Sequence, residues 1–188
     1  MRKLRTIEMN RLTVDEFKEA RKLPIVVVLD DVRSLYNVGS VFRSSDAFRV
    51  EAVYLCGITG CPPHSEIHKT ALGAEDSMDW RYFEHTEEAV QELQKQGYFV
   101  YSIEQVEHST KLQTLHLQHF NDEDAAAKPA PRGYAVIFGN EVKGVKQQVV
   151  DMSDGCLEIP QFGTKHSLNV SVTAGIVIWE FAKKIMWG

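Results

Sequence analysis

Three short segments, far apart in the chain, join side chains able to hold charge to residues that let the backbone come close. Asn37-Val38-Gly39-Ser40-Val41-Phe42-Arg43-Ser44 offers an amide and a guanidinium. Phe138-Gly139-Asn140-Glu141-Val142-Lys143-Gly144 sets an amide and a carboxylate between two glycines. Ile159-Pro160 then leads to Ser167-Leu168-Asn169-Val170-Ser171-Val172, where a hydroxyl and a further amide flank Leu168. Asn140 and Glu141 would be costly to bury without partners. Each segment also has a plainer account. The second could be a strand-to-helix turn with an Asx cap. In the first, Asn37 could be a helix cap and Arg43 a solvent or salt-bridge residue. In the third, one of Ser167 and Asn169 could be the N-cap, but both exceed what capping needs. Grouped together, the three would form one site.

The elements that must position these residues follow from hydrophobic patterning. Thr13-Val14-Asp15-Glu16 fits a capping box, which predicts a short helix over 14–22, ended by Pro24. Ile25-Val26-Val27-Val28-Leu29 is a continuous apolar run, as in a central strand covered on both faces. Similar runs recur at 52–55, 98–103 and 134–138. Helices are expected over 38–48 and over 87–96, the latter opened by Thr86 and closed by Gly97. Strands alternating with helices define an α/β fold with a mostly parallel sheet flanked by helices. Gly139 then falls where such a sheet places its ligand crevice, at the carboxyl edge. Gly144, one turn on, permits a left-handed or closely approached backbone. Gly39, Ser40 and Ser44 would leave a thin flank on the first helix, open to a ligand or another subunit. The stretch 168–184 fits both a strand and a helix by period; its length and Lys183-Lys184 near its end favour helix. Residues 121–131, rich in Asp, Ala and Pro, read as an exposed loop.

With 188 residues the chain can build one sizeable core but not two comfortable domains. Three cysteines, Cys56, Cys61 and Cys156, are an odd count without a CxxC pair, which suits reduced thiols in a cytosol. The basic start Met1-Arg2-Lys3-Leu4-Arg5 has no apolar stretch after it, and no run approaches a membrane span. A cytoplasmic protein without a signal peptide is therefore expected. The formal net charge of −5 argues against indiscriminate nucleic-acid binding. The charge is unevenly spread, however: residues 1–22 hold seven Lys/Arg against four acids and residues 75–124 hold three against twelve. A local basic face remains available.

Common cofactor signatures are missing: neither GxGxxG nor GxxxxGK[ST] occurs. His64, His68 and Cys61 invite a zinc reading, but His64-Ser65-Glu66-Ile67-His68 is not HExxH and no fourth ligand is evident, so no metal is expected. No G-x-S-x-G nucleophile elbow is present, and Cys56 and Cys156 lie in or beside apolar runs, as buried thiols do.

Jointly, the three segments resemble the SpoU (TrmH-like) branch of the SPOUT RNA methyltransferases. The motifs occur in the family's order: Asn37 to Arg43, then Gly139-Asn140-Glu141 to Gly144, then Ile159-Pro160 with Ser167-Leu168-Asn169-Val170-Ser171. The resemblance covers about residues 25–182. It implies that the C-terminal part is threaded as a deep trefoil knot, a rare exception to the rule against knotting. It also implies a single domain over 25–188 after a short helical extension, 1–24. Further implications are a bent S-adenosyl-methionine held largely by backbone groups, and a homodimer with pocket and RNA site near the subunit boundary. Carried over, Gly139, Ile159 and Leu168 line the cofactor pocket, with Ile103 and Gln105 as further candidates near a strand end.

The implied reaction moves the sulfonium methyl to a ribose 2′-hydroxyl of tRNA or rRNA. Arg43 is the family's activator of that hydroxyl. A guanidinium holds its proton to very high pH, so donation to the emerging alkoxide and a neighbouring phosphate suits it better than base action. Asn37 would orient Arg43 or the ribose, and Glu141, Ser167 and Asn169 would position the nucleotide and reacting groups. Two departures stand out: many relatives carry an extra RNA-binding domain, and Arg49 occupies a place where the family often has glycine. Competing readings are an RNA-binding or assembly factor that keeps the fold without catalysis, and a small-molecule methyltransferase.

Overall fold

The computed structural model describes residues 1–117 and 130–187. The loop expected at 121–131 thus lies almost wholly outside the described residues. The chain opens with a 3₁₀ turn (Thr6–Met9) and α1 (Val14–Glu19), followed by β1 (Leu23–Asp30), α2 (Leu35–Ala47) and β2 (Val50–Cys56). Next come α3 (Ser65–Ala71), α4 (Ala74–Ser77), β3 (Trp80–Phe83), α5 (Thr86–Lys95) and β4 (Tyr98–Ile103). The last part holds β5 (Thr110–Lys111), β6 (Gly133–Phe138), α6 (Gln147–Met152), β7 (Gly155–Glu158) and α7 (Val170–Trp187).

The seven strands form one sheet in the order β3-β2-β1-β6-β4-β7-β5, and every pairing is parallel. Because β6 inserts between β1 and β4, the ends of β1, β6, β4 and β7 stand side by side on one edge. The ends of β1, β6 and β7 lead into the three segments singled out above, and the end of β4 carries Ile103 and Gln105. This order, rather than closeness in sequence, gathers the site.

β1 is buried on both faces, as its unbroken apolar run requires. Ile25, Val27 and Leu29 join Phe42, Phe138, Ile178 and Phe181 in one cluster, against α2 and α7. Val26 and Val28 join Val90, Leu93, Ile137 and Val149 in the other, against α5 and α6. Phe17 of α1 is buried in the first cluster, and α1 packs beside α4.

Several boundaries differ from expectation. The first helix stops at Glu19 rather than residue 22, because Ala20 is extended (φ −66°, ψ 146°). α5 takes its cap at His85; Thr86 instead gives its hydroxyl to buried Asp30 at 2.6 Å. The ambiguous C-terminal stretch is helical. The thin flank of α2 is not open: a Cβ on Gly39 would meet Ile67 O and Thr70 Oγ1 of α3 at 2.2 Å, and Ser44 lies beside Gly175 of α7. Small residues there serve helix packing. Arg49, where the resemblance leads one to expect glycine, has φ +51°, the left-handed conformation that glycine adopts at least cost. Cys56 is buried, which pushes its thiol up to about 12, whereas Cys156 is only half-buried.

Candidate active site

α2 begins at Leu35, earlier than the predicted 38, because Ser34 caps it by accepting the Asn37 N–H at 3.4 Å. Asn37 is thereby released from capping and its side chain faces the other motifs. Its Nδ2 donates to Glu141 Oε1 at 3.0 Å, and its Oδ1 accepts from Asn169 Nδ2 at 3.1 Å. Glu141 also accepts the backbone N–H groups of Arg33 (3.0 Å) and Ser34 (2.9 Å). Asn169 caps α7: its Oδ1 accepts from Ser171 N at 2.9 Å and Ser171 Oγ at 2.6 Å. One continuous chain, Glu141–Asn37–Asn169, therefore joins all three motifs.

Burial of the Glu141 carboxylate opposes its charge, but donors outweigh it and hold its pKa below the ordinary 4.5. Those donors are the N–H groups of Arg33, Ser34 and Glu141 itself and the Asn37 amide. A carboxyl depressed in the folded state stabilises fully above its ordinary value, and that contribution vanishes as pH falls through the lowered one. Glu141→Gln should thus lower the denaturant midpoint at neutral pH, with the gap from the unsubstituted chain closing in acid, once pH falls below the ordinary carboxylate range. Parallel denaturation curves at neutral and acid pH check this; a gap constant with pH would refute it.

The loop after β6 is folded back on itself. Asn140 N donates to Gly144 O at 3.0 Å and Gly144 N to Asn140 O at 2.9 Å, while Asn140 Oδ1 accepts from Val142 N and Lys143 N. Asn140 Nδ2 reaches Asp31 O at 2.8 Å, tying the loop to the end of β1. Gly144 has φ +69°, which the reversal needs. Beneath this loop opens a crevice of about 620 Å³, large enough for a nucleoside-sized ligand. Gly139, Ile159, Leu168, Ile103 and Gln105, the five predicted pocket residues, all line it, and so do Glu141, Ser167 and Asn169. Gln105 Nε2 donates to His166 O at 3.0 Å, which fixes the segment before Ser167 against the end of β4.

Arg43 is the exception. It is exposed on α2, makes no hydrogen bond or ion pair among the described residues, and does not line the crevice. Ser167 is exposed too, with its hydroxyl uncommitted among the described residues, so it is not the cap of α7. Of the five residues given chemical roles, three are bound to one another and two present free groups.

A second network, not singled out from the sequence, lies beside the first. Buried Asp30 accepts Lys146 N at 3.0 Å, and Lys146 Nζ reaches Asp31 Oδ2 at 2.7 Å and Asp30 Oδ1 at 3.3 Å. Burial lowers the Lys146 pKa, but the two carboxylates prevail and raise it; burial raises that of Asp31, but Lys146 and the Ile58 N–H prevail and lower it. This clamp locks the segment after Gly144 to the end of β1. Its one available signal is the pair of acids closing an apolar strand. Glu104, directly after β4, is a further residue not singled out by sequence, and it lines the crevice.

His64 Nδ1 accepts from Glu66 N at 3.1 Å, and His68 pairs with Glu75 at 2.5 Å. Among the described residues no group of three or more His, Cys, Asp and Glu side chains could hold a metal ion. Nor is any helix there long and apolar enough to cross a membrane.

A parallel α/β sheet with a ligand crevice where its strand order switches defines a class of small-molecule- or cofactor-binding proteins. Within that class the sequence matches the SpoU rRNA Methylase family over residues 24–179, and the chain belongs to this family. It is 28% identical over 173 residues to a tRNA (guanosine(18)-2′-O)-methyltransferase of Thermus thermophilus, covering 92% of this chain and 81% of that protein. It is 27% identical over 166 residues to the 23S rRNA (guanosine-2′-O-)-methyltransferase RlmB of Neisseria meningitidis, covering 88% of this chain but 61% of that one. The fold matches that of an AdoMet-bound rRNA methyltransferase from Sinorhizobium meliloti with a TM-score of 0.74 at 22% identity, over 92% of this chain and 61% of the other. For the A. aeolicus TrmH/SpoU tRNA modifying enzyme the TM-score is 0.73 at 21% identity, over 91% and 81%.

Proposed function

We propose that this protein is an S-adenosyl-methionine-dependent methyltransferase that modifies a ribose 2′-hydroxyl of tRNA or rRNA. The observation that carries the reading is the joining of all three family motifs beside one crevice: Asn37 of the first is hydrogen-bonded to Glu141 and Asn169, which line that crevice. Family membership and the activities of the two relatives support it. The crevice suits an adenosyl ligand: Ile103, Ile159 and Leu168 give apolar walls, and carboxylates and backbone groups give acceptors. When bound, S-adenosyl-methionine supplies an electrophilic methyl group. Gly139, Ile159, Leu168, Ile103 and Gln105 would hold it.

On the protein's side, the Glu141–Asn37–Asn169 chain fixes α2 relative to the crevice, so its members act by positioning. The Ser167 hydroxyl is free to meet the nucleotide. Arg43 donates to the developing alkoxide and to a phosphate next to it. Holding the ribose oxygen in line with the methyl supplies several kcal/mol of barrier reduction, about what orientation gives elsewhere. Phe162, 97% exposed on the loop that leads to Ser167, offers a ring on which an unpaired base can stack.

The same reading takes residues 25–188 as one catalytic domain with 1–24 as an extension, and the C-terminal part as knotted. It takes the active form as a homodimer. An apolar stripe on α7, Val172 (52% exposed), Ile176 and Trp179 (47%), with Trp179 against Phe48 at 5.7 Å, supports a second copy there. In that assembly Arg43, on the neighbouring α2, serves the crevice of the partner.

Calorimetric titration with S-adenosyl-methionine should show binding, and incubation with tRNA or rRNA should give a 2′-O-methylated nucleotide. No binding at about 1 mM ligand, a free energy of only about −4 kcal/mol, would sink the enzyme reading and leave the RNA-binding factor. Turnover without RNA would favour a small-molecule substrate.

A further inference from the structure

Three carboxylates line the crevice, and two are already engaged. Glu141 is held by Arg33, Ser34 and Asn37. Glu158 is ion-paired with Lys111 and accepts from Ser109 Oγ at 2.5 Å. Glu104 differs: among the described residues it has no cation within ion-pair distance. It accepts one backbone N–H on each oxygen, Gln105 N on Oε1 at 2.9 Å and Val145 N on Oε2 at 3.0 Å.

A carboxylate offers about four acceptor positions. Two are filled here, one per oxygen, so one remains on each, side by side. The two N–H bonds fix the group's orientation in advance. The fold also clears space for it, since a Cβ at Gly144 would lie 2.1 Å from Oε2. Lys143 lines the crevice as well, but as an exposed, solvent-screened charge. Paired acceptors at the carboxyl end of a strand suit two adjacent hydroxyls, the task acidic residues perform for ribose in other open α/β sheets.

We propose that Glu104 is a cofactor-binding residue that takes hydrogen bonds from the ribose diol of the adenosyl group. The assignment rests on S-adenosyl-methionine as the crevice ligand. A bond to the sulfonium would sense charge; a bond to the diol does not. Glu104→Gln should therefore weaken S-adenosyl-methionine and S-adenosyl-homocysteine by the same factor, about tenfold.

Titrations with both ligands and with the 2′-deoxy and 3′-deoxy forms of S-adenosyl-homocysteine test it. The unsubstituted protein should lose about tenfold for each missing hydroxyl, and Glu104→Gln much less, as coupled groups do. Three results overturn the assignment: no weakening in the variant, weakening confined to S-adenosyl-methionine, or deoxy ligands that bind the unsubstituted protein undiminished. The last comparison needs no variant, so a Glu104→Gln protein that failed to fold would leave the test standing. Absence of binding by any ligand to the unsubstituted protein would instead overturn the cofactor reading, and this assignment with it.

Discussion

Replacing Arg43 by Ala is expected to lower the rate of RNA methylation by at least about 10²–10³-fold, as loss of an alkoxide-stabilising donor does. The affinity for S-adenosyl-methionine should stay within about twofold. Both halves follow from where Arg43 lies. It is outside the crevice and bound to nothing in its own chain among the described residues, so truncation disturbs neither packing nor the cofactor walls. It stands six residues after Asn37 on a rigid helix, about 9 Å along the axis, which carries its guanidinium well past the motif junction. Arg43→Lys keeps the charge but loses the planar fork, so an intermediate rate is expected. Single-turnover rates with calorimetry separate the two quantities. Loss of cofactor binding along with activity would show the assigned role to be wrong.

The sheet was legible in the sequence where burial made it so. β1, β4 and β6 are long, apolar and covered, and their patterns announced them. β3, β5 and β7 were not foreseen, for a physical reason. β3 and β5 are the edge strands, and β7 has only four residues. Trp80-Arg81-Tyr82-Phe83 mixes exposed and buried residues, and Thr110–Lys111 is exposed altogether. Edges need charge and brevity, which erase the apolar signal. The insertion of β6 between β1 and β4 had no local signature, because it depends on the whole chain's path.

The site was legible as a set of residues, and its wiring was not. Asn37 looked equally like a cap, and only the hydroxyl of Ser34, three residues earlier, decides that it is not. Asn169 does two jobs at once, capping α7 and binding Asn37, so the excess of polar residues around Leu168 reflected a real second demand. Glu141 had a partner problem visible from the start. Its answer, the backbone N–H groups of residues 33 and 34, lies across more than a hundred residues. Asp30 and Lys146 escaped notice because an acid at a strand end and a lysine after a turn are each ordinary alone.

Gly139→Ala should be the most damaging single methyl group in this protein. Its backbone is not in the left-handed region, so the argument is one of space alone. A Cβ there would lie 2.1 Å from Gly144 C and Val145 N and 2.4 Å from Gly144 O, and backbone atoms cannot step aside as a flexible side chain does. The turn closed by Asn140 and Gly144 must shift, taking with it the Val145 N–H that Glu104 accepts. Such overpacking costs about 2 kcal/mol, near 6 °C in Tm for a domain of this size. Cofactor affinity should fall about 100-fold or more, because the moved turn is itself a wall of the crevice. Gly163→Ala is the control: nothing lies within 4 Å of its added Cβ, and stability and binding should both be unchanged. Gly139→Ala protein that binds S-adenosyl-methionine normally would refute the close contact between this strand end and the turn. The variant also tests where Arg43 acts. Mixed dimers of Gly139→Ala and Arg43→Ala chains hold one intact crevice facing one intact arginine only if the arginine serves the partner. Methylation recovered on mixing two inactive proteins would support that arrangement, and a mixture as inactive as its parents would place arginine and crevice within one chain.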